Sequence, residues 1–256
     1  MATGVLCVAV DNATRFIELL PSHNKSYLAK AKLGMTTDTL DITGKVLSES
    51  EVNVSEERLK EVCESFKGKI MQTPPMYSAV SKDGVRLYEL ARKGLEVDRE
   101  ERKVEIFSLE ISGFDGTEFT LDVSCSAGTY VRTLIDDIGK ALGCGAVMTG
   151  LVRTRANGFS IGDCHTLAEI ETAVNDNKIN ELIVPVEKCF EGFESVSVSE
   201  AQTKRFSNGG ELSLDRIKHD FKEGLYRVLS PDGKFLGLGE VCLDENLLKV
   251  RRVYVD

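Results

Sequence analysis

The sequence predicts an α+β protein: a mixed, mostly antiparallel sheet with flanking helices, followed by a small β-rich C-terminal domain. Three observations carry this reading. Apolar and polar residues alternate at period two over residues 27–33 and 118–126, as half-buried strands require. Val131, Leu134, Ile135, Ile138 and Leu142 fall instead on one helical face, with Gly143 following as a stop. Beyond residue 224, short strand patterns gather around the turn Pro231-Asp232-Gly233-Lys234, a strong hairpin signal.

Taken in order, residues 5–10 form a short apolar run that reads as a strand, and a helix is expected over 13–20. Residues 27–33 and 45–50 read as strands on either side of a polar loop at 36–44. Ser55 opens a helix with a capping pattern that runs to about residue 66, and a second short helix is expected over 87–93. Residues 102–113 and 118–126 form an antiparallel hairpin across Phe114-Asp115-Gly116-Thr117. A helix around 167–175 and its polar linker lead to a boundary near 189–195, dividing the chain into residues 1–190 and 191–256. The second part carries a helix over 200–208 that ends at Gly209-Gly210, then strands at 225–229, 235–242 and 247–255.

Bulk properties set limits. A chain of 256 residues holds one large or two ordinary domains, and 42% hydrophobic residues is ample for a core. No apolar run is long enough to span a bilayer, and no basic and apolar leader follows Met1, which fits a cytosolic globular protein. The seven cysteines are odd in number, scattered, and free of CxxC pairs, while His23, His165 and His219 cluster with nothing. Neither zinc nor a disulfide framework is suggested, and buried, reduced thiols are expected. The net charge of -9 opposes phosphate binding at first sight. Acidic residues, however, concentrate at 49–64 and 163–200, whereas basic ones recur as Lys30 and Lys32, Arg92 and Lys93, Arg102 and Lys103, Arg153 and Arg155, and Arg251 and Arg252. A basic face fits beneath that acidic total, as does a mixed solvated surface.

The most informative stretch runs Ser126-Ala127-Gly128-Thr129-Tyr130-Val131-Arg132-Thr133. Thr129 reads as an N-cap, which puts Arg132 in the first helical turn. That end already carries partial positive charge from unsatisfied N–H groups, so a cation there is mildly destabilising unless an anion faces it. Arg132 therefore asks for a carboxylate or a phosphate. On spacing alone the motif equally fits a solvated arginine and a packed tyrosine, and further residues must decide.

Those residues exist. Gly128 to Asp137 closely resembles the helix-start motif of the tRNA pseudouridine synthase B family, which isomerises a uridine in the T loop of tRNA. Lys25-Ser26-Tyr27, Pro75-Met76-Tyr77-Ser78-Ala79-Val80-Ser81-Lys82-Asp83-Gly84 with Tyr88-Glu89-Leu90-Ala91-Arg92-Lys93-Gly94, and Leu151-Val152-Arg153-Thr154 resemble the same family in the same order. The resemblance covers nearly the whole chain and implies a pseudouridine synthase fold with a PUA-like, RNA-binding tail. It implies that Tyr27 stacks on the flipped base and serves at the proton transfer from the ring carbon. It further implies that Tyr130 and Leu151 line the pocket and that Arg132 partners the catalytic aspartate. Residues 75–103 resemble a thumb that clamps the RNA. The implied partner is the T arm of tRNA, bound by a cytoplasmic monomer with no obligate protein partner, no membrane, no metal and no cofactor.

One departure stands against these agreements. The family's nucleophilic aspartate lies in a loop reading Leu-Asp-Pro-(Leu or Met)-Ala-Thr-Gly, and this sequence opens Met1-Ala2-Thr3-Gly4. Aligned so, the nucleophile falls just before Met1, and the acid that Arg132 should face is expected to be missing. The expectations are then a shortened, inactive synthase, a noncatalytic tRNA-binding remnant or RNA-folding helper, or, less in keeping with the short tail, a subunit-type relative guided by small RNAs. A bared sheet edge near residues 5–10 is expected to limit solubility.

Overall fold

The structure, a computed structural model, describes residues 2–254. It divides into two compact units: residues up to Leu6 with His23–Cys164, and Cys7–Ser22 with the chain from His165 onward.

The first unit is built from β1 (Ala2–Gly4), β2 (Lys25–Leu33), β3 (Met35–Thr37), β4 (Val46–Glu49), α1 (Glu56–Ser65), β5 (Gly68–Gln72), β6 (Ser81–Lys82), β7 (Val85–Arg86), α2 (Leu87–Arg92), β8 (Arg102–Phe114), β9 (Glu118–Cys125), α3 (Val131–Leu142), β10 (Ala146–Ala156) and β11 (Phe159–Ser160). Its main sheet runs β1-β10-β2-β9-β8-β5, with β11 pairing β10 off that path. Only β1 on β10 is parallel; the other pairs are antiparallel. The period-two alternation of β9 places Phe119, Leu121, Val123 and Cys125 on one face, where they pack with Leu59 and Val62 of α1 and Leu134, Ile135 and Ile138 of α3. Each such aliphatic side chain contributes about 1.5–3 kcal/mol by leaving water. Gly139 permits the close approach of α3 to β10, since a Cβ there would lie 2.2 Å from the Ala146 nitrogen.

The second unit contains a 3₁₀ helix (Asp11–Leu19), α4 (Leu167–Asn175), α5 (Ile179–Leu182), β12 (Ser195–Ser197), α6 (Glu200–Ser207), β13 (Leu212–Ser213), β14 (Gly224–Leu229), β15 (Phe235–Cys242) and β16 (Leu247–Val253). Its sheet runs β12-β14-β15-β16-β13. Ser199 and Gln202 form a capping box at the head of α6. Phe16 is buried among Phe190, Phe235 and Tyr254.

Several expectations need correction. Residues 5–10 are not a strand. The strand is Ala2–Gly4, and Gly4, at φ +102°, turns with its Cα against the Arg153 carbonyl. Val5 is buried, while Leu6, Val8 and Val10 are exposed. The helix over 13–20 is the 3₁₀ helix Asp11–Leu19, whose Val10 N-cap offers no side-chain acceptor. The loop at 36–44 begins inside β3, which pairs with β4. The strands β5 and β10 were not expected; in β10, register shifts at Met148/Gly150 and Arg153/Arg155 break the alternation that marks a strand. Buried thiols hold for Cys63, Cys125 and Cys144, but Cys164 is exposed and Cys7, Cys189 and Cys242 are partly so. Val255, the last residue of the expected final strand, lies outside the described residues.

Candidate active site

The head of α3 is where the site is built. Its N-cap is Tyr130, not Thr129, and no side chain of the cap bonds the helix. The Thr129 hydroxyl turns back to donate to the Ser126 carbonyl at 3.0 Å. Tyr130 is fixed from outside: its N–H donates to Gln72 Oε1 at 2.8 Å, and its carbonyl accepts from Gln72 Nε2 at 3.1 Å.

Arg132 then sits in the first turn, half-buried, as helix polarity requires of a cation that has found an anion. Its Nη1 lies 3.3 Å from Asp41 Oδ2 and donates to the Thr39 carbonyl at 3.3 Å, while Nη2 donates to the Tyr77 carbonyl at 2.8 Å. Arg132 thus faces an acid within this chain, Asp41, which is not the aspartate of the family's Leu-Asp-Pro loop. The pair is about three-quarters covered, with side-chain exposures of 23% and 22%. Water still reaches it, so its desolvation cost stays modest.

Asp41 is itself a prepared partner. Its Oδ1 accepts from the Thr43 N–H at 3.0 Å, the Thr43 hydroxyl at 2.5 Å and the Thr39 hydroxyl at 3.2 Å, leaving Oδ2 for Arg132. The loop is tied to β10, because the Ile42 N–H donates to the Met148 carbonyl at 2.9 Å and the Met148 N–H to the Leu40 carbonyl at 3.2 Å. Burial works against the Asp41 charge, but the Thr43 and Thr39 donors and the Arg132 guanidinium outweigh it and hold the carboxyl below its ordinary pKa.

Tyr27 and Leu151 meet one strand pair away. Tyr27 on β2 stands opposite Arg153 on β10, and Leu151 opposite Ala29, so Tyr27 and Leu151 are diagonal neighbours on one face. Tyr27 is 8% exposed. Burial first, and Cys125 beside it, raise the phenol's pKa above the usual value, with Arg153 opposing. The Arg153 Nε donates to the Val5 carbonyl at 2.6 Å. Strand β10 thus carries both halves: Met148 holds the Asp41 loop, and Leu151 and Arg153 face the Tyr27 side. Tyr130 is half-buried and Leu151 partly covered against the core.

Sequence reasoning singles out Arg132, Tyr130, Tyr27 and Leu151 and does not single out Asp41 or Gln72. The run Thr39-Leu40-Asp41-Ile42-Thr43, with a threonine two residues to either side of the aspartate, is the signal of a side-chain-locked turn. Gln72 had no local signal. A groove of about 450 Å³ bordered by His165, Glu169, Asp176, Lys178 and Leu182 belongs to the second unit and holds none of these groups; the convergence of charge and hydrogen bonds, not concavity, marks the site.

The fold is that of a pseudouridine synthase, an isomerase. Residues 1–131 match the TruB family pseudouridylate synthase (N terminal domain), 132–191 the tRNA pseudouridylate synthase B C-terminal domain, and 195–254 the pseudouridine synthase II TruB C-terminal domain. The chain belongs to the TruB family. It is 41% identical over 242 residues to the tRNA pseudouridine synthase B of Clostridium tetani (strain Massachusetts / E88), covering 94% of this chain and 82% of that protein. It is 40% identical over 256 residues to that of Pseudomonas fluorescens (strain Pf0-1), covering 99% and 83%. Among solved structures it is similar to a chain of a Cbf5-Nop10-Gar1 complex, with a TM-score of 0.72 and 25% identity over 99% of this chain and 73% of that one. No helix among the described residues is long and apolar enough to cross a membrane.

Proposed function

We propose that this fold serves the conversion of the T-loop uridine of tRNA to pseudouridine, with the T arm as partner, in the cytoplasm and as a monomer. The observation that carries the reading is the seat of Arg132 at the head of α3, ringed by a carboxylate and two carbonyls at the position matching the family's catalytic arginine. A uridine in a folded loop must leave its stack to be reached, so the site needs an aromatic platform and apolar walls. Tyr27 is assigned to the base and to the proton leaving the ring carbon, Tyr130 and Leu151 to the pocket wall, and residues 191–256 to RNA binding. A carboxylate nucleophile detaches the uracil, which turns and rejoins through carbon. No cofactor takes part.

The nucleophile is proposed to be the aspartate of a Leu-Asp-Pro run that aligns ahead of Met1, a role not assigned to Asp41. Ala2 pairs with Leu151, which brings the segment matching that loop beside the proposed pocket wall. Loss of a nucleophile costs roughly 10⁴-fold or more in rate. Assay on unmodified tRNA, with and without a Leu-Asp-Pro run ahead of Met1, tests this: turnover is expected only with that run, and equal turnover without it refutes the assignment. A second reading, a noncatalytic tRNA-binding protein or RNA-folding helper, is favoured by Asp41 already neutralising Arg132 within this chain. Tight tRNA binding that persists when a Leu-Asp-Pro segment is added without restoring turnover selects it.

A further inference from the structure

We infer that Gln72 is a positioning residue for this site, a role that rests on the reading above. Gln72 ends β5, is 2% exposed, and spends both ends of its carboxamide on the two backbone groups of Tyr130, 58 residues away. The Tyr130 carbonyl also accepts the first helical bond, from the Leu134 N–H at 3.0 Å, so the two peptide groups flanking the Tyr130 Cα are both held. Gln72 thereby satisfies one of the N–H groups that the head of the helix leaves unpaired, where the cap residue's own side chain satisfies none. Turning either peptide swings the Tyr130 side chain and shifts Arg132, two residues on, against Asp41 and the Tyr77 carbonyl. Gln72 also pairs with Arg102, so everything between them leaves the sheet at this point. The carboxamide therefore sets the helix head against the root of the segment that supplies Tyr77. Only a side chain with one donor and one acceptor does this; a carboxylate keeps the bond from the N–H and repels the carbonyl.

The test compares the unsubstituted chain with Gln72→Leu and Gln72→Glu. Without RNA, Gln72→Leu should speed hydrogen exchange at the Tyr130 amide by about tenfold and leave the amides of Ile135 and Ile138 within about threefold. With a T-arm stem-loop carrying 2-aminopurine beside the target uridine, Gln72→Leu should keep affinity within about threefold but cut the fluorescence rise of base extrusion by about tenfold. Gln72→Glu should show the same loss at about pH 8 and recover at about pH 5.5, where the buried new carboxyl is protonated and donates to the Tyr130 carbonyl, while the unsubstituted chain stays flat. Unchanged exchange at Tyr130, loss of affinity and extrusion in equal proportion, or no recovery in acid overturns the inference. If the unsubstituted chain gives no fluorescence rise, the functional reading fails, and the exchange comparison alone decides the clamp.

Discussion

Arg132 and Asp41 meet at 3.3 Å although 91 residues separate them in the chain. The arginine is placed by the start of α3, and the aspartate by a turn closed by Thr39 and Thr43 and held on Met148. Neither element makes sense of its charge without the other: a cation at a helix head is unfavourable alone, and a carboxylate in a half-buried turn is desolvated alone.

Removing that charge should therefore show in stability. Asp41→Asn keeps the Thr43 bonds and loses the ion pair, at a cost of about 1 kcal/mol, whereas Asp41→Ala also loses the turn and costs about 2 kcal/mol. Because folding depresses the Asp41 pKa, its contribution is present above the ordinary carboxyl pKa and fades as pH falls through the lower folded value. Urea unfolding of the chain and of Asp41→Asn should differ at neutral pH and converge below about pH 4. A gap that stays undiminished well below that pH contradicts the assignment.

For Tyr27 the sign is opposite. Its folded pKa is raised chiefly by burial, so the neutral phenol is favoured, and that stability is lost as pH rises through the folded value. The difference in phenolate absorbance between the chain and Tyr27→Phe should appear only above about pH 10. Tyr27→Phe should cost less than about 1.5 kcal/mol, and Tyr27→Ala about 3–4 kcal/mol through the cavity it leaves.

The thiols should separate by burial. Cys164 is exposed, whereas burial pushes the Cys63 thiol up to about 11. Alkylation near neutral pH, followed by peptide mass mapping, should label Cys164 and spare Cys63 until the protein is unfolded. Equal labelling of the two in the native protein would show that α1 does not hold Cys63 in the core.

Two glycines near the C-terminal end of α3 should respond differently. Gly139→Ala gains about 1 kcal/mol of helix propensity but drives a methyl group into the Ala146 backbone, so a net loss of roughly 2 kcal/mol is expected. Gly143→Ala meets nothing within 4 Å and costs only the left-handed backbone at φ +81°, about 1 kcal/mol. Thermal unfolding that ranks them the other way rejects the packing of α3 on β10.

What was legible in the sequence was what neighbours along the chain decide. The β8–β9 hairpin announces itself because Asp115 takes the N–H groups of Thr117 and Glu118 at 2.9 and 2.7 Å. Ser55 caps α1 by accepting from the Arg58 N–H at 3.2 Å. Arg132 was legible as a cation needing an anion, since helix polarity is local. Its partner was not, because Asp41 arrives through the register of β10. The cap of α3 was misplaced by one residue for a related reason: the group that satisfies Tyr130 comes from the end of another strand. In β10 itself, the bulges that let one strand serve two halves of the site also erased its alternation.

Phe16 has a consequence for dissection of the protein. It comes from the early stretch Cys7–Ser22 yet lies fully enclosed by rings that follow residue 185. A fragment that starts after Ser22 would leave a phenylalanine-sized hole among Phe190, Phe235 and Tyr254, a loss of about 3–5 kcal/mol. The polypeptide is interlaced, so scission at one peptide bond cannot release the β-rich tail as an intact module.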